Sequence, residues 1–296
     1  MTSQTKAYFF VALAVLFWST VATAFKIALR SLDFIQMLFY ASASSLLVLL
    51  VVLVVQGNIP HLFTQSRRDW FGSALLGLLN PFLYYLILFK AYDLLPAQQA
   101  QPLNYTWPVV LSVLSVPLLG QKLTFQALMA LLISFSGVIV ISRGSDPTGA
   151  LQFSDPVGVF LAVFSSVVWA LFWIFNVKDE RDPVLKLCSG FIFGTVYVTI
   201  TMLVFSEFTV PPLKGLLGGI YIGLFEMGLT FVLWLQALNH ARDSASISHF
   251  VYLSPFLSLV FIYFVLGEAI AITSIIGLVL IISGILIQTL KWGQNR

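Results

Sequence analysis

Ten stretches of mostly apolar residues follow one another along this chain, at 7–30, 34–55, 70–92, 98–119, 124–142, 156–177, 185–206, 213–238, 245–266 and 271–290. Each is close to the roughly 20 residues that an α-helix needs to cross about 30 Å of hydrocarbon at 1.5 Å per residue. Breakers punctuate them: Gly57-Asn58-Ile59-Pro60, Gly144 to Pro147, Asp182-Pro183 and Pro211-Pro212. The connections are too short to hold a soluble domain. Only 9% of the residues are charged, where soluble domains average about 25%. Such a surface needs hydrocarbon as its solvent, so the lipid bilayer is the first partner the sequence implies. The expected class is an all-α integral membrane protein of ten transmembrane helices.

Charge sets the expected orientation. The net charge of +3 comes from single cations scattered between apolar runs, which argues against nucleic acid as a partner. With the N-terminus inside, Lys6, Arg67, Arg68, Lys122, Lys178, Arg181, Lys186, Arg242, Lys291 and Arg296 fall on the inner side. Lys26, Arg30, Lys90, Arg143 and Lys214 fall outside. Ten inner cations against five outer favour cytoplasmic termini at both ends. Ala22-Thr23-Ala24 imitates a signal cleavage site, but the preceding apolar stretch is long enough to span and is read as retained.

The halves are related. An offset of 147 aligns residues 98–140 with 245–287 without a gap, pairing Tyr105 with Tyr252, Pro108 with Pro255, Leu119-Gly120 with Leu266-Gly267 and Ser136-Gly137 with Ser283-Gly284. An offset of 146 pairs Gly77 with Gly223 and Asn80 with Glu226, and one of 151 pairs Trp18 with Trp169. Paired prolines and glycines in one order are harder to obtain by chance than paired leucines. The expected units are residues 1–143 and 156–296, five helices each, joined by a 144–155 loop. An odd number of spans per unit inverts the second copy. Inverted repeats of this kind place a substrate site near the bilayer midplane.

Span midpoints put Trp18, Pro81, Pro108, Glu226 and Pro255 at one depth. Pro81, Pro108 and Pro255 are read as helix breaks, where carbonyls lose their partners and a cavity can form. Glu226 is the acidic residue deepest within a span, and a carboxylate there costs about 2.5–3.5 kcal/mol on insertion scales. It should therefore face a cavity and either read a cationic group or carry protons, the candidate coupling ion. Asn80 is its neutral counterpart. Asn104, Tyr105, Trp107, Tyr84, Tyr252, Trp18, Trp169 and His249 supply polar tips on aromatic bodies, the mixture a small-molecule pocket uses. For most of these aromatics simple packing is the competing reading.

Gly215, Gly219 and Gly223 form a double G-x-x-x-G, which implies close packing of the eighth span on a neighbour. The single cysteine, Cys188, excludes an intramolecular disulfide and a cysteine-based metal cluster. No H-E-x-x-H, G-x-S-x-G, Walker or Rossmann pattern is present. Neither enzyme chemistry, nor a cofactor, nor a metal site is expected.

Phe17-Trp18-Ser19, Gly120-Gln121-Lys122, Ser136-Gly137, Leu266-Gly267-Glu268 and Ser283-Gly284 together resemble the drug/metabolite transporter superfamily, and within it the EamA-type branch. Asn104-Tyr105-Thr106-Trp107-Pro108, followed by Gly120-Gln121-Lys122, is similar to a stretch of bacterial aromatic amino-acid exporters. Glu226 is no part of that exporter pattern. The resemblance implies a ten-helix basket in the plasma (bacterial inner) membrane, working by alternating access without ATP hydrolysis. It also implies efflux of amino acids or related small metabolites.

Overall fold

The computed structural model describes residues 2–120, 125–143, 155–207, 210–241, 247 and 249–289. Gln121, Lys122, the 144–154 connection, Arg242, Lys291 and Arg296 lie outside them, as does the side chain of His249. The described residues are helical and include no strand. Seven helices are long and apolar enough to cross a membrane: α1 (Ser3–Leu29), α2 (Phe34–Val55), α3 (Arg67–Leu94), α4 (Ala97–Leu119), α6 (Pro156–Val177), α7 (Pro183–Phe205) and α8 (Leu213–His240). Three shorter apolar helices occupy the remaining stretches, α5 (Phe125–Ser142), α9 (Phe250–Leu266) and α10 (Ile272–Thr289).

The helix boundaries have local causes. Asp33 and Gln36 form a capping box that starts α2, and Ser66 and Asp69 form another that starts α3. Asp155-Pro156 and Asp182-Pro183 begin α6 and α7, each with an aspartate side chain accepting from backbone N–H groups and proline in the first turn. The repeat mates Gly120 and Gly267 end α4 and α9 in left-handed conformation, with φ of 65° and 71°, where a side chain would be strained.

Packing carries the internal symmetry into three dimensions. A Cβ on Gly77 of α3 would strike the Gly190 carbonyl of α7 and lie 3.0 Å from the Gly194 nitrogen. A Cβ on Gly223 of α8 would strike the Ala41 carbonyl of α2 and lie 3.0 Å from the Ser45 nitrogen. The same contact thus occurs twice, with the halves exchanged. Gly215 and Gly219 extend it, packing on Leu32 and Tyr40. The double glycine motif therefore serves helix approach.

The fifth and tenth helices meet on the symmetry axis. Gly137 packs against Gly277, and Gly284 against Ala130. At the 147 offset these are one contact viewed from either helix, and their order shows that α5 and α10 run antiparallel. Ser134 Oγ donates to the carbonyl of Ile281, its own mate, at 3.3 Å. Self-complementary contacts of this kind are what a two-fold relation produces.

Four helices break within their length. In α3 the helix kinks within Leu78–Leu83, where Asn80 leaves the helical conformation at φ −144°, ψ 122°. In α8 a π turn covers Gly223–Gly228, and the Thr230 hydroxyl donates to the Phe225 carbonyl. Helix α4 turns at Tyr105 and Thr106, then restarts at Trp107. Pro108 consequently sits in a first turn, where its missing N–H has no helical partner to lose. Pro255 does likewise, at the start of the Ser254–Phe261 segment of α9 after a 3-10 turn, His249–Leu253. Only Pro81 lies inside a break.

Candidate functional site

The broken helices surround a central cavity of about 90 Å³. Its walls come from α1, α3, α4, α6, α8 and α9. Trp18, Tyr84, Asn104, Tyr105, Trp107, Trp169 and Glu226 all line it. A second chamber of about 140 Å³ shares Trp18, Trp107, Trp169, Phe231 and Val251 with the first, and adds Trp173, Trp234 and Tyr252. Five of the chain's seven tryptophans therefore enclose one small volume.

Glu226 reaches the first chamber from the π turn of α8. Its Oε1 accepts a hydrogen bond from the Tyr85 hydroxyl of α3 at 3.0 Å, and Oε2 has no partner. Glu226 is only partly exposed, its Oε2 is buried, and a half-satisfied carboxylate of this kind sits in an expensive state that a ligand or a proton can relieve. The neighbouring polar groups are better paired. Tyr84 donates to Asn104 Oδ1 at 3.1 Å, and Asn104 Nδ2 donates to Ser165 Oγ at 2.8 Å. This chain fixes the break in α4 against α6, aided by a 3.2 Å hydrogen bond between the hydroxyls of Thr106 and Ser166.

The rings are positioned by one another. Tyr84 stacks on Trp169 at 4.5 Å between centroids, and Trp169 meets Trp173 edge-on at 5.8 Å. Across the cavity Trp18 lies 5.8 Å from Trp234. Trp18 and Trp169, repeat mates, line both chambers.

Asn80 is placed differently from the other candidates. It is 2% exposed, it lines neither chamber, and both its side-chain polar atoms lack partners. Tyr85, Tyr92, Gln101, Phe231, Trp173 and Trp234 belong to the site but escaped the sequence reading. Signals for two of them existed. Trp173 follows Trp169 by one helical turn and Trp234 follows Glu226 by two, spacings that share a face. Tyr85 had none, because a kink upstream shifts the helical phase by an amount that side-chain types do not reveal.

Beyond the cavity the molecule is tied together at the end holding Lys26. Lys26 Nζ donates to the carbonyls of Tyr92 and Leu95 at 2.8 and 3.1 Å. Gln98 Nε2 donates to the Ala269 carbonyl at 2.9 Å, while Gln98 Oε1 accepts from the Ala271 N–H at 2.7 Å. The Ala97 N–H donates to Glu268 Oε1 at 3.4 Å. These bonds join α1, the α3–α4 turn and the α9–α10 turn into a latch. Among the described residues, no group of three or more histidine, cysteine, aspartate or glutamate side chains could hold a metal.

The chain is similar to known proteins along most of its length. The model of the EamA-like transporter family matches residues 5–143 and again 156–290. An uncharacterized transporter of Archaeoglobus fulgidus is 25% identical over 98% of this chain and 100% of its own length. A probable terminal-alkyne amino-acid exporter of Streptantibioticus cattleyicolor is 26% identical over 98% of this chain and 96% of its own. The aromatic amino acid exporter YddG of Ancylobacter novellus is 23% identical over 51% of this chain and 53% of its own. One crystal structure superposes with a TM-score of 0.67 at 21% identity, covering 96% of each chain, a likeness of fold.

Proposed function

The chain belongs to the EamA-like transporter family, and from that premise we propose that it is a secondary exporter of small amphipathic metabolites, amino acids or related compounds. It works by alternating access about the central cavity, in the plasma (bacterial inner) membrane, with both termini in the cytoplasm. The observation that carries this reading is Glu226: a carboxylate with one unpartnered oxygen, in a tryptophan-lined cavity between two inverted halves. A structural acid would have both oxygens paired. A site that binds and releases leaves one for its passenger.

The size of the cavity supports movement. Pockets for drug-sized ligands occupy about 300–1,000 Å³, whereas these two chambers measure about 90 and 140 Å³. A metabolite enters when the shared wall of Trp18, Trp107, Trp169 and Phe231 shifts and the chambers merge. Charge distribution assigns the Lys26 latch to the outer face, so export requires its rupture. Glu226 is the coupling group in this scheme: a proton and the passenger compete for the same oxygen. The other titratable groups facing it are tyrosines, Tyr84, Tyr85, Tyr92 and Tyr105.

Purified protein in proteoliposomes tests this. Flux of amino acids or amphipathic amines should saturate with concentration and respond to an imposed pH gradient. Glu226→Gln should lose the response to the gradient. Unsaturable flux with ion conductance in planar bilayers would identify a passive channel instead. Binding without flux would identify a ligand-binding membrane protein.

A further inference from the structure

Among the described residues, the two chambers contain one carboxylate and no cation. Of the described residues lining them, Glu226 has the only carboxyl group, and none is Lys, Arg or His. Lys26 belongs elsewhere. Its ammonium is bound to the Tyr92 and Leu95 carbonyls, and it lines a separate cavity with Arg30, Asp93 and Glu268. A ligand carboxylate entering beside Glu226 would meet a like charge in a medium where such pairs repel strongly.

Three of the donors nearest the carboxylate are already committed. Tyr85 serves Glu226, Tyr84 serves Asn104, and the Asn104 amide serves Ser165. The indole N–H of Trp173 is unpartnered, and neutral donors of this kind suit a hydroxyl or carbonyl oxygen better than an anion. The aromatic walls act in the same direction as Glu226. Ring faces attract cations, and a box of several tryptophans is the arrangement that recognises alkylated ammonium groups.

Resting on the carrier reading above, we propose that this site selects organic monocations, an amine or substituted ammonium on an apolar body, over zwitterionic amino acids and over acids. The ammonium pairs with Glu226. The apolar body lies in the chamber of Trp18, Trp107, Trp169, Trp173 and Trp234. Within the class of amphipathic metabolites, the passengers are those whose carboxyl group is absent, or masked as an amide or ester.

Four probes that share a phenyl ring separate the possibilities: phenethylamine, phenylalaninamide, phenylalanine and 3-phenylpropionate. Binding to the full chain in detergent is read by quenching of the cavity tryptophans, and counterflow is read in proteoliposomes. The two amines should bind at least about tenfold more tightly than phenylalanine, with 3-phenylpropionate weakest, given what charge-assisted pairing contributes in a dry site. Glu226→Gln should abolish the ranking. Trp234→Leu should weaken both amines by about fivefold and preserve their order.

Phenylalanine binding as tightly as its amide would overturn the proposal, as would an unchanged ranking in Glu226→Gln or no binding of any probe. Should Glu226→Gln fail to fold, the wild-type ranking with Trp234→Leu still decides. Saturable phenylalanine flux without preference for the amines would sink the cation site and leave the carrier standing. Amine-selective binding without saturable flux would do the reverse.

Discussion

The third and eighth helices share a backbone design and differ in their chemistry. Both break at the matched place, in a kink at Leu78–Leu83 and a π turn at Gly223–Gly228. Both press a glycine, Gly77 or Gly223, onto a helix of the opposite half. Yet the polar residue at the matched position is packed away in one and lines the cavity in the other. Asn80 is 2% exposed and lines no chamber, while Glu226 lines the cavity with an unpartnered oxygen. Symmetry in this fold is a property of helix packing. Function arises where one half departs from it, since a single carboxylate gives the cavity a charge that a symmetric pair of neutral amides would lack.

Exchanging the two residues puts that contrast under the greatest strain. In the double variant Asn80→Glu with Glu226→Asn the protein keeps its composition and moves its charge to the other repeat. Stripping a buried charged group of its partner costs about 2–5 kcal/mol. Transport by the exchanged protein should therefore fall by at least about 30-fold, the same loss as Glu226→Asn alone. Recovery of transport in proteoliposomes would show that the two positions are interchangeable and that the cavity reads either side alike.

The glycines test the symmetric part. Gly77→Ala and Gly223→Ala each drive a methyl group into a backbone carbonyl across the repeat interface. Overpacking of this kind costs about 1–3 kcal/mol, and the two losses should match, read as thermal unfolding in detergent. If only one variant is destabilised, the duplicated contact is a likeness of shape without a likeness of energy.

Which of these features could be read from residue order follows from how each is built. Hydropathy sees Glu226 because a carboxylate in an apolar run is locally anomalous. The Trp18/Trp169 and Gly77/Gly223 pairs survive because large rings and bare backbones are hard to replace. Three things resisted. Asn80 looked like an equal partner of Glu226, but its extended backbone conformation takes it out of the chambers' walls. Pro108 and Pro255 looked like mid-helix breaks, but the chain turns just ahead of them and uses each to begin a new segment. Tyr85 was invisible, because the side-chain phase after a kink depends on three-dimensional packing that no local pattern encodes.

The smallest expected effect separates two adjacent tyrosines of α3. Tyr85 donates to a carboxylate of the other half, and Tyr84 donates to the neutral Asn104 of its own half. Hydrogen bonds to charged groups contribute about 1.5–3 kcal/mol and neutral ones about 1. Tyr85→Phe leaves Glu226 able to turn toward cavity water, so the lower end applies, about a tenfold loss of transport with little change in melting temperature. Tyr84→Phe takes the partner from the buried Asn104 carbonyl oxygen and loosens the α4 break it holds, so its effect should fall on stability, with transport changed only severalfold. Equal effects on both readouts would mean that the hydroxyls form one network. The charge of Glu226 would then be stabilised by both halves together, and the division between symmetric scaffold and asymmetric chemistry would have to be drawn one residue deeper, through Asn104.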